Sequence, residues 1–297
     1  MTTAIALLAL LVLLALALPP GLRRLFRPAR TPGPCPTDLG LDAHDVAIPT
    51  ERGKRLAAWY LPPASLPGPV VAVMHGWGSS AAELLPLAVP LKQAGYGVLL
   101  LDARCHGRSD DDDFASMPRF AEDLSHALDW LKARPEVASI AVIGHSVGGA
   151  AAILTASRRH DLAAVVAVSA FAHPRAMMRR WLKAFRIPYP VAGWWVLRYV
   201  ERAIGHRYDD IAAINVVHRV ACPLLLAHGR DDSQVPATDA LAIHAARGTA
   251  HVEVLLLDDF GHGDPDRVAG LVPPLLDFLA GTTQPDGSLT RHGAKSG

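Results

Sequence analysis

Ser146 lies in the stretch IAVIGHSVGGAAAIL, Ile140 to Leu154, where a run of β-forming residues gives way to helix-formers. Gly144 and Gly148 flank it two positions to either side. A corner that tight forces its central residue into a strained backbone region. Side chains two positions away would collide across it, so small residues are needed there. The strain lifts a hydroxyl clear of the sheet, and the first amides of the new helix face any negative charge that develops beside it. A serine hydroxyl is a weak nucleophile until a base takes its proton. His262 is the best-placed base among the 14 histidines, since it follows an apolar strand and sits on a loop between Gly261 and Gly263. His75, His106, His145 and His228 read as structural, and His126 and His244 fall in helical patterns. Such a base needs a carboxylate to fix its tautomer and to stabilise its protonated form. Asp231 and Asp232 are the leading candidates, whereas Asp258, Asp259 and Asp264 read as solvated or capping residues.

The elements that must carry these groups follow from the apolar pattern. From Leu41 onward, short β-rich runs alternate with longer helical patterns, the signature of a mainly parallel sheet with helices on both faces. After an opening hairpin that turns near Glu51 to Lys54, strands are expected at Val70–Met74, Gly97–Asp102, Ile140–Gly144, Ala164–Ser169, Pro223–Ala227 and Val252–Leu257. Their near-continuous apolar character implies burial on both faces. Helices are expected at Ala82–Ala94, Phe120–Ala133, Gly149–Arg158, Ala237–Ala246 and Asp266–Leu279. The interval 171–219 is too long for one crossover and is rich in aromatics, Trp181, Trp194 and Trp195 among them. At the carboxyl ends of such strands an insertion of this kind covers the ligand crevice as a helical lid.

Several motifs in chain order make residues 41–280 resemble the α/β-hydrolase family, in the lid-containing esterase and lipase-like branch. GHSVG matches the G-x-S-x-G nucleophile elbow in its required strand-to-helix setting. VVAVMHGWGSS is similar to the family's His-Gly loop, LLLDARCHGRSD to its D-x-R-G-H-G-x-S segment with Cys105 where glycine is usual, PLLLAHGRDDSQVP to its acid segment, and FGHGD to its histidine loop. The resemblance implies a triad of Ser146, Asp232 and His262, with the amides of Trp77 and Val147 forming the oxyanion hole. It also implies hydrolysis of a carboxylic ester of a small or lipophilic acyl substrate through an acyl-enzyme. Thioester, amide and peptide bonds yield to the same machinery, and a catalytically silent binding protein on this fold is the alternative of another class.

Composition sets the remaining bounds. The chain has 297 residues, 51% of them hydrophobic, enough for one large domain with a substantial core. With 29 basic and 28 acidic residues there is no global field to attract nucleic acid. Three scattered cysteines, Cys35, Cys105 and Cys222, show no C-x-x-C spacing and fit reduced thiols. Phosphate-binding, dinucleotide and zinc signatures are missing, so no cofactor or metal is implied. The run SDDDDF, Ser109 to Phe114, reads as a solvated acidic loop. Residues 2–18 are uncharged and apolar, and Arg23, Arg24, Arg27 and Arg30 follow them. This predicts a transmembrane or signal-anchor helix with the catalytic domain on the cytoplasmic side. Export after signal cleavage near ALALPPG is the alternative. Residues 19–40 read as a basic, Pro-rich linker and 281–297 as a disordered tail.

Overall fold

In a computed structural model, which describes residues 27–30, 33–262 and 268–283, one eight-stranded sheet organises the chain. Strands β1 (His44–Pro49), β2 (Arg55–Leu61), β3 (Gly68–Met74), β4 (Gly97–Leu101), β5 (Val137–His145), β6 (Ala164–Val168), β7 (Leu224–Gly229) and β8 (Val252–Leu257) lie in the order β1-β2-β4-β3-β5-β6-β7-β8. β2 pairs antiparallel with both β1 and β4, and all other pairings are parallel. This is the expected α/β-hydrolase fold.

The apolar runs are continuous because each strand packs on both sides. In β3, Val70, Ala72 and Met74 join one core while Val71 and Val73 join the other. The first core is covered by α2 (Met117–Lys132), α3 (Val147–Ala156) and α8 (Thr238–Ala245), through residues such as Phe120, Ile153 and Ile243. The second is covered by α1 (Leu85–Gln93) and α9 (Val268–Thr283), through Leu85, Leu91, Leu271 and Leu275. The insertion folds as α4 (Pro174–Ala184), a π-helical turn (Tyr189–Gly193), α5 (Trp194–Ile204) and the short α6 (Tyr208–Ile211) and α7 (Ala213–Val216). Leu182, Leu197, Val200 and Tyr208 give it a small core of its own. Arg180 of α4 reaches Asp239 of α8 through two hydrogen bonds, Nη1 to Oδ2 at 3.0 Å and Nη2 to Oδ1 at 2.8 Å, and so ties the insertion to the body.

Two expectations are corrected. Among the described residues no helix is long and apolar enough to cross a membrane. The longest, α2 and α9, have 16 residues each, short of the roughly 20 that a bilayer requires. The membrane anchor, the single-pass topology and the cytoplasmic placement built on it are therefore withdrawn. Residues 2–18 lie outside the described residues, as do 284–297 of the expected tail. The acidic run is solvated only in part: Asp111 is exposed and Asp110 and Asp113 are half-buried, but Asp112 is not. Asp112 is buried, with Arg52 at 3.0 Å and Arg104 at 3.4 Å, while Asp113 meets Arg52 and Arg119 and Asp111 meets Arg30. Arg30 and Arg52 are distant in sequence, so those charges are matched only after folding, whereas Arg104 and Arg119 flank the run.

Candidate active site

The residues of interest come together at the carboxyl edge of the sheet. Ser146 follows β5 and caps α3 with φ 53° and ψ −114°, a backbone region that side chains avoid. Two contacts hold the corner in that shape. The Ser146 amide donates to Val168 O at the end of β6 (2.8 Å), and its carbonyl accepts the α3 bond from the Ala150 amide at 3.0 Å. A Cβ on Gly144 would overlap the Gly148 carbonyl, and one on Gly148 would overlap the carbonyls of Met74 and His75. Both positions therefore require glycine.

His262 arrives on the loop after β8. Its Nε2 lies 3.0 Å from Ser146 Oγ and its Nδ1 2.7 Å from Asp232 Oδ2. Asp232 follows β7 and is buried, with Oδ1 accepting the amides of Gln234 (2.9 Å) and Val235 (2.8 Å). A carboxylate accepts only, so Nδ1 of His262 carries the proton on that side and Nε2 is left to accept from Ser146. Burial alone would raise the Asp232 carboxyl. Hydrogen bonds from His228, His262 and the Val235 amide outweigh it and hold the group well below the usual carboxylate range. Asp231 is exposed, and Asp258 pairs with Arg230 at 2.8 Å, so neither reaches the imidazole. Asp264 lies outside the described residues.

Val147 and Trp77 occupy the two positions expected to supply oxyanion amides. Val147 is the first residue of α3, whose opening amides have no acceptor within the helix. Among the described residues neither its N–H nor that of Trp77 donates to a protein acceptor. The Trp77 loop is fixed from behind. His75 Nε2 accepts the Ala103 amide (3.1 Å), which leaves Nδ1–H to donate to Gly76 O at 2.7 Å. Burial pushes the His75 pKa down and keeps the ring neutral for this double role. Asp102 braces the same loop, with Oδ1 accepting the Ala81 amide at 2.7 Å and Oδ2 the Arg108 amide at 2.9 Å.

Two participants were not assigned to the site from sequence. His228, read as structural, donates from Nε2 to Val235 O (2.8 Å) and stands 3.4 Å from Asp232 Oδ2. Its place four residues before the acid on a strand end was the available signal. His145 lies beside His262 with ring centroids 5.2 Å apart. Burial pushes it down to about 4, and the neighbouring His262 adds to the fall, so the site holds a second, neutral imidazole.

Two neighbouring spaces lie at the site, and Ser146 lines the first of them. One, of about 350 Å³, is lined by Ser146, His262, His145, Ser79, Glu83 and Gln234 together with apolar groups. The other lies beneath the insertion, between Phe114, Met117 and Phe171 of the body and Met178, Tyr199 and Val200 above. Trp77, Val147, Met177 and Trp181 line both.

Fold and site together define an α/β-hydrolase enzyme. A family model described as serine aminopeptidase, S33, matches residues 66–215, and the chain belongs to that family. An uncharacterized protein of Mycobacterium tuberculosis is 31% identical over 262 residues, covering 86% of this chain and 85% of its own. An sn-1-specific diacylglycerol lipase of Xenopus tropicalis is 32% identical over 140 residues, 43% of either chain. Among solved structures, an esterase of Pyrococcus furiosus superposes with a TM-score of 0.70 at 26% identity, over 87% of this chain and 98% of that one.

Proposed function

We propose that the protein hydrolyses carboxylic esters with an apolar acyl group through a covalent acyl-enzyme. The observation that carries this reading is the unbroken hydrogen-bonded chain from Asp232 through His262 to a strained Ser146 at the mouth of a cavity. Ser146 Oγ attacks the acyl carbon while His262 Nε2 takes its proton. The carbonyl oxygen becomes an oxyanion stabilised by the amides of Trp77 and Val147. Collapse breaks the ester bond, and His262 returns the proton to the departing alkoxide. Water, deprotonated by His262, then attacks the acyl-enzyme and releases the acid and free Ser146.

The space beneath the insertion suits the acyl chain and makes the insertion a lid over it. Its lining holds no charged group, so it favours hydrocarbon and disfavours a charged acyl group. That favours an ester over the aminopeptidase reaction in the family's description, because an amino-terminal substrate carries an ammonium on its acyl side and needs a carboxylate there. The esterase and lipase relatives point the same way. The test is labelling with a fluorophosphonate, followed by turnover of a series of esters of increasing acyl length. We expect labelling at Ser146, its loss together with ester turnover in Ser146→Ala, and kcat/KM rising with chain length. A well-folded Ser146→Ala protein that keeps wild-type turnover refutes the mechanism.

A further inference from the structure

Glu83 is the only carboxylate lining the serine cavity among the described residues. It lies in the short 3-10 helix Ala81–Leu84, directly after the loop that carries Trp77. Ser79 Oγ donates to its Oε2 at 2.8 Å, which fixes one oxygen and leaves Oε1 without a described donor. No described arginine, lysine or histidine forms an ion pair with it. Asp232 and Asp102 are engaged, Asp232 by three hydrogen-bond donors and Asp102 by two backbone amides. The charge of Glu83 also reaches the buried His75 ring behind the loop, where it opposes the larger effect of burial.

The two spaces divide the substrate. His262 lines the space that holds Glu83 and does not line the apolar one beneath the lid. The departing oxygen must receive its proton from His262, so the leaving group belongs on the His262 side and the acyl chain on the apolar side. We propose that Glu83 sets the charge preference for the alcohol portion of the ester, favouring a cationic leaving group such as a quaternary or primary ammonium alcohol and disfavouring an anionic one. The inference rests on the ester-hydrolase reading above. It makes Glu83 a specificity residue that takes no part in bond making. An exposed carboxylate facing a substrate cation is worth up to about fivefold in binding, because solvent screens it. The contact is made alike in ground and transition states, so it falls mainly on KM.

Three octanoate esters with leaving groups of matched shape test it: octanoylcholine, the uncharged 3,3-dimethylbutyl octanoate and the anionic 2-sulfoethyl octanoate. In the wild type, kcat/KM should fall in that order, by about fivefold between cationic and neutral esters, with the spread narrowing as salt is raised. Glu83→Gln keeps an acceptor for Ser79 and removes the charge, so the cationic-to-neutral ratio should approach one. Glu83→Lys should invert it. Using the neutral ester as reference within each variant removes any general loss from misfolding. Equal kcat/KM for all three esters in the wild type, or a ratio that survives in Glu83→Gln, overturns the inference. Failure of the wild type to cleave any of the three overturns the ester-hydrolase reading instead.

Discussion

Replacing Asp232 by asparagine separates the acid's two roles. Oδ1 accepts two backbone amides, from Gln234 and Val235, which fixes that position as an acceptor. The asparagine carbonyl must take it, leaving the NH2 group where Oδ2 faced His262 Nδ1 at 2.7 Å. Two N–H donors would then oppose each other. His262 relieves the clash by moving its proton to Nε2, where it points at Ser146 and can no longer accept from it. The base is thus lost with little change of shape. In another serine hydrolase family this wrong-tautomer effect costs about 10⁴ in kcat, equivalent to about 5.4 kcal/mol of barrier. We expect a similar loss here for an activated ester, with KM changed by less than about threefold because no substrate contact is removed. Asp231→Asn, one residue away and exposed, should stay within about twofold, as surface changes do. Steady-state kinetics on purified variants, with circular dichroism as the fold control, decide the matter. A loss below about tenfold in Asp232→Asn, or a larger loss in Asp231→Asn, refutes the reasoning.

Gly148→Ala should abolish activity and depress Tm, since its Cβ would meet the carbonyls of Met74 and His75; wild-type turnover in this variant would mean that the corner can relax. Asp123→Ala removes the buried partner of Arg104, 2.7 Å away, and should cost about 3–5 kcal/mol in urea unfolding without contact to the substrate. Asp232 and Asp161 both have depressed pKa values. Burial opposes the shift at Asp232, where the hydrogen bonds prevail, while at Asp161 the hydrogen bond from Arg159 is the leading cause. Each folded value lies below the unfolded value of about 3.9, so their stabilisation is present above that pH and is lost progressively as pH falls from there through the folded value. Unfolding free energies measured from pH 7 downward should therefore decline, and Asp161→Asn should flatten the decline.

The fold, and the residues that meet at its candidate site, were legible in the sequence because their signals are local. Apolar runs such as Val70–Met74 announce doubly buried strands, and Gly144-x-Ser146-x-Gly148 announces a corner that no larger residues could make. What stayed hidden depends on distant chain segments meeting. Asp111 and Asp112 read as solvent-facing because Arg30 and Arg52, which meet them, lie far back in the chain. His228 is a different case: it stands four residues before Asp232, and its place beside the acid depends on the local turn between Gly229 and Val235. Apolar content and the arginines after it suggested a membrane helix at 2–18, which lies outside the described residues; among those residues no helix is long and apolar enough to cross a membrane.

The placement of His262 has a consequence for how the enzyme would fail. Ser146 and Asp232 follow β5 and β7, each paired on both sides, whereas His262 follows β8, an edge strand that pairs with β7 alone. Most of β8 is only half-buried. Edge segments of this kind open at a lower free energy than the sheet as a whole. Fraying of β8 withdraws the imidazole while nucleophile and acid stay in place, producing an inactive protein that is still almost entirely folded. Activity should therefore disappear on mild heating before the sheet melts, and return on cooling as soon as one strand re-pairs.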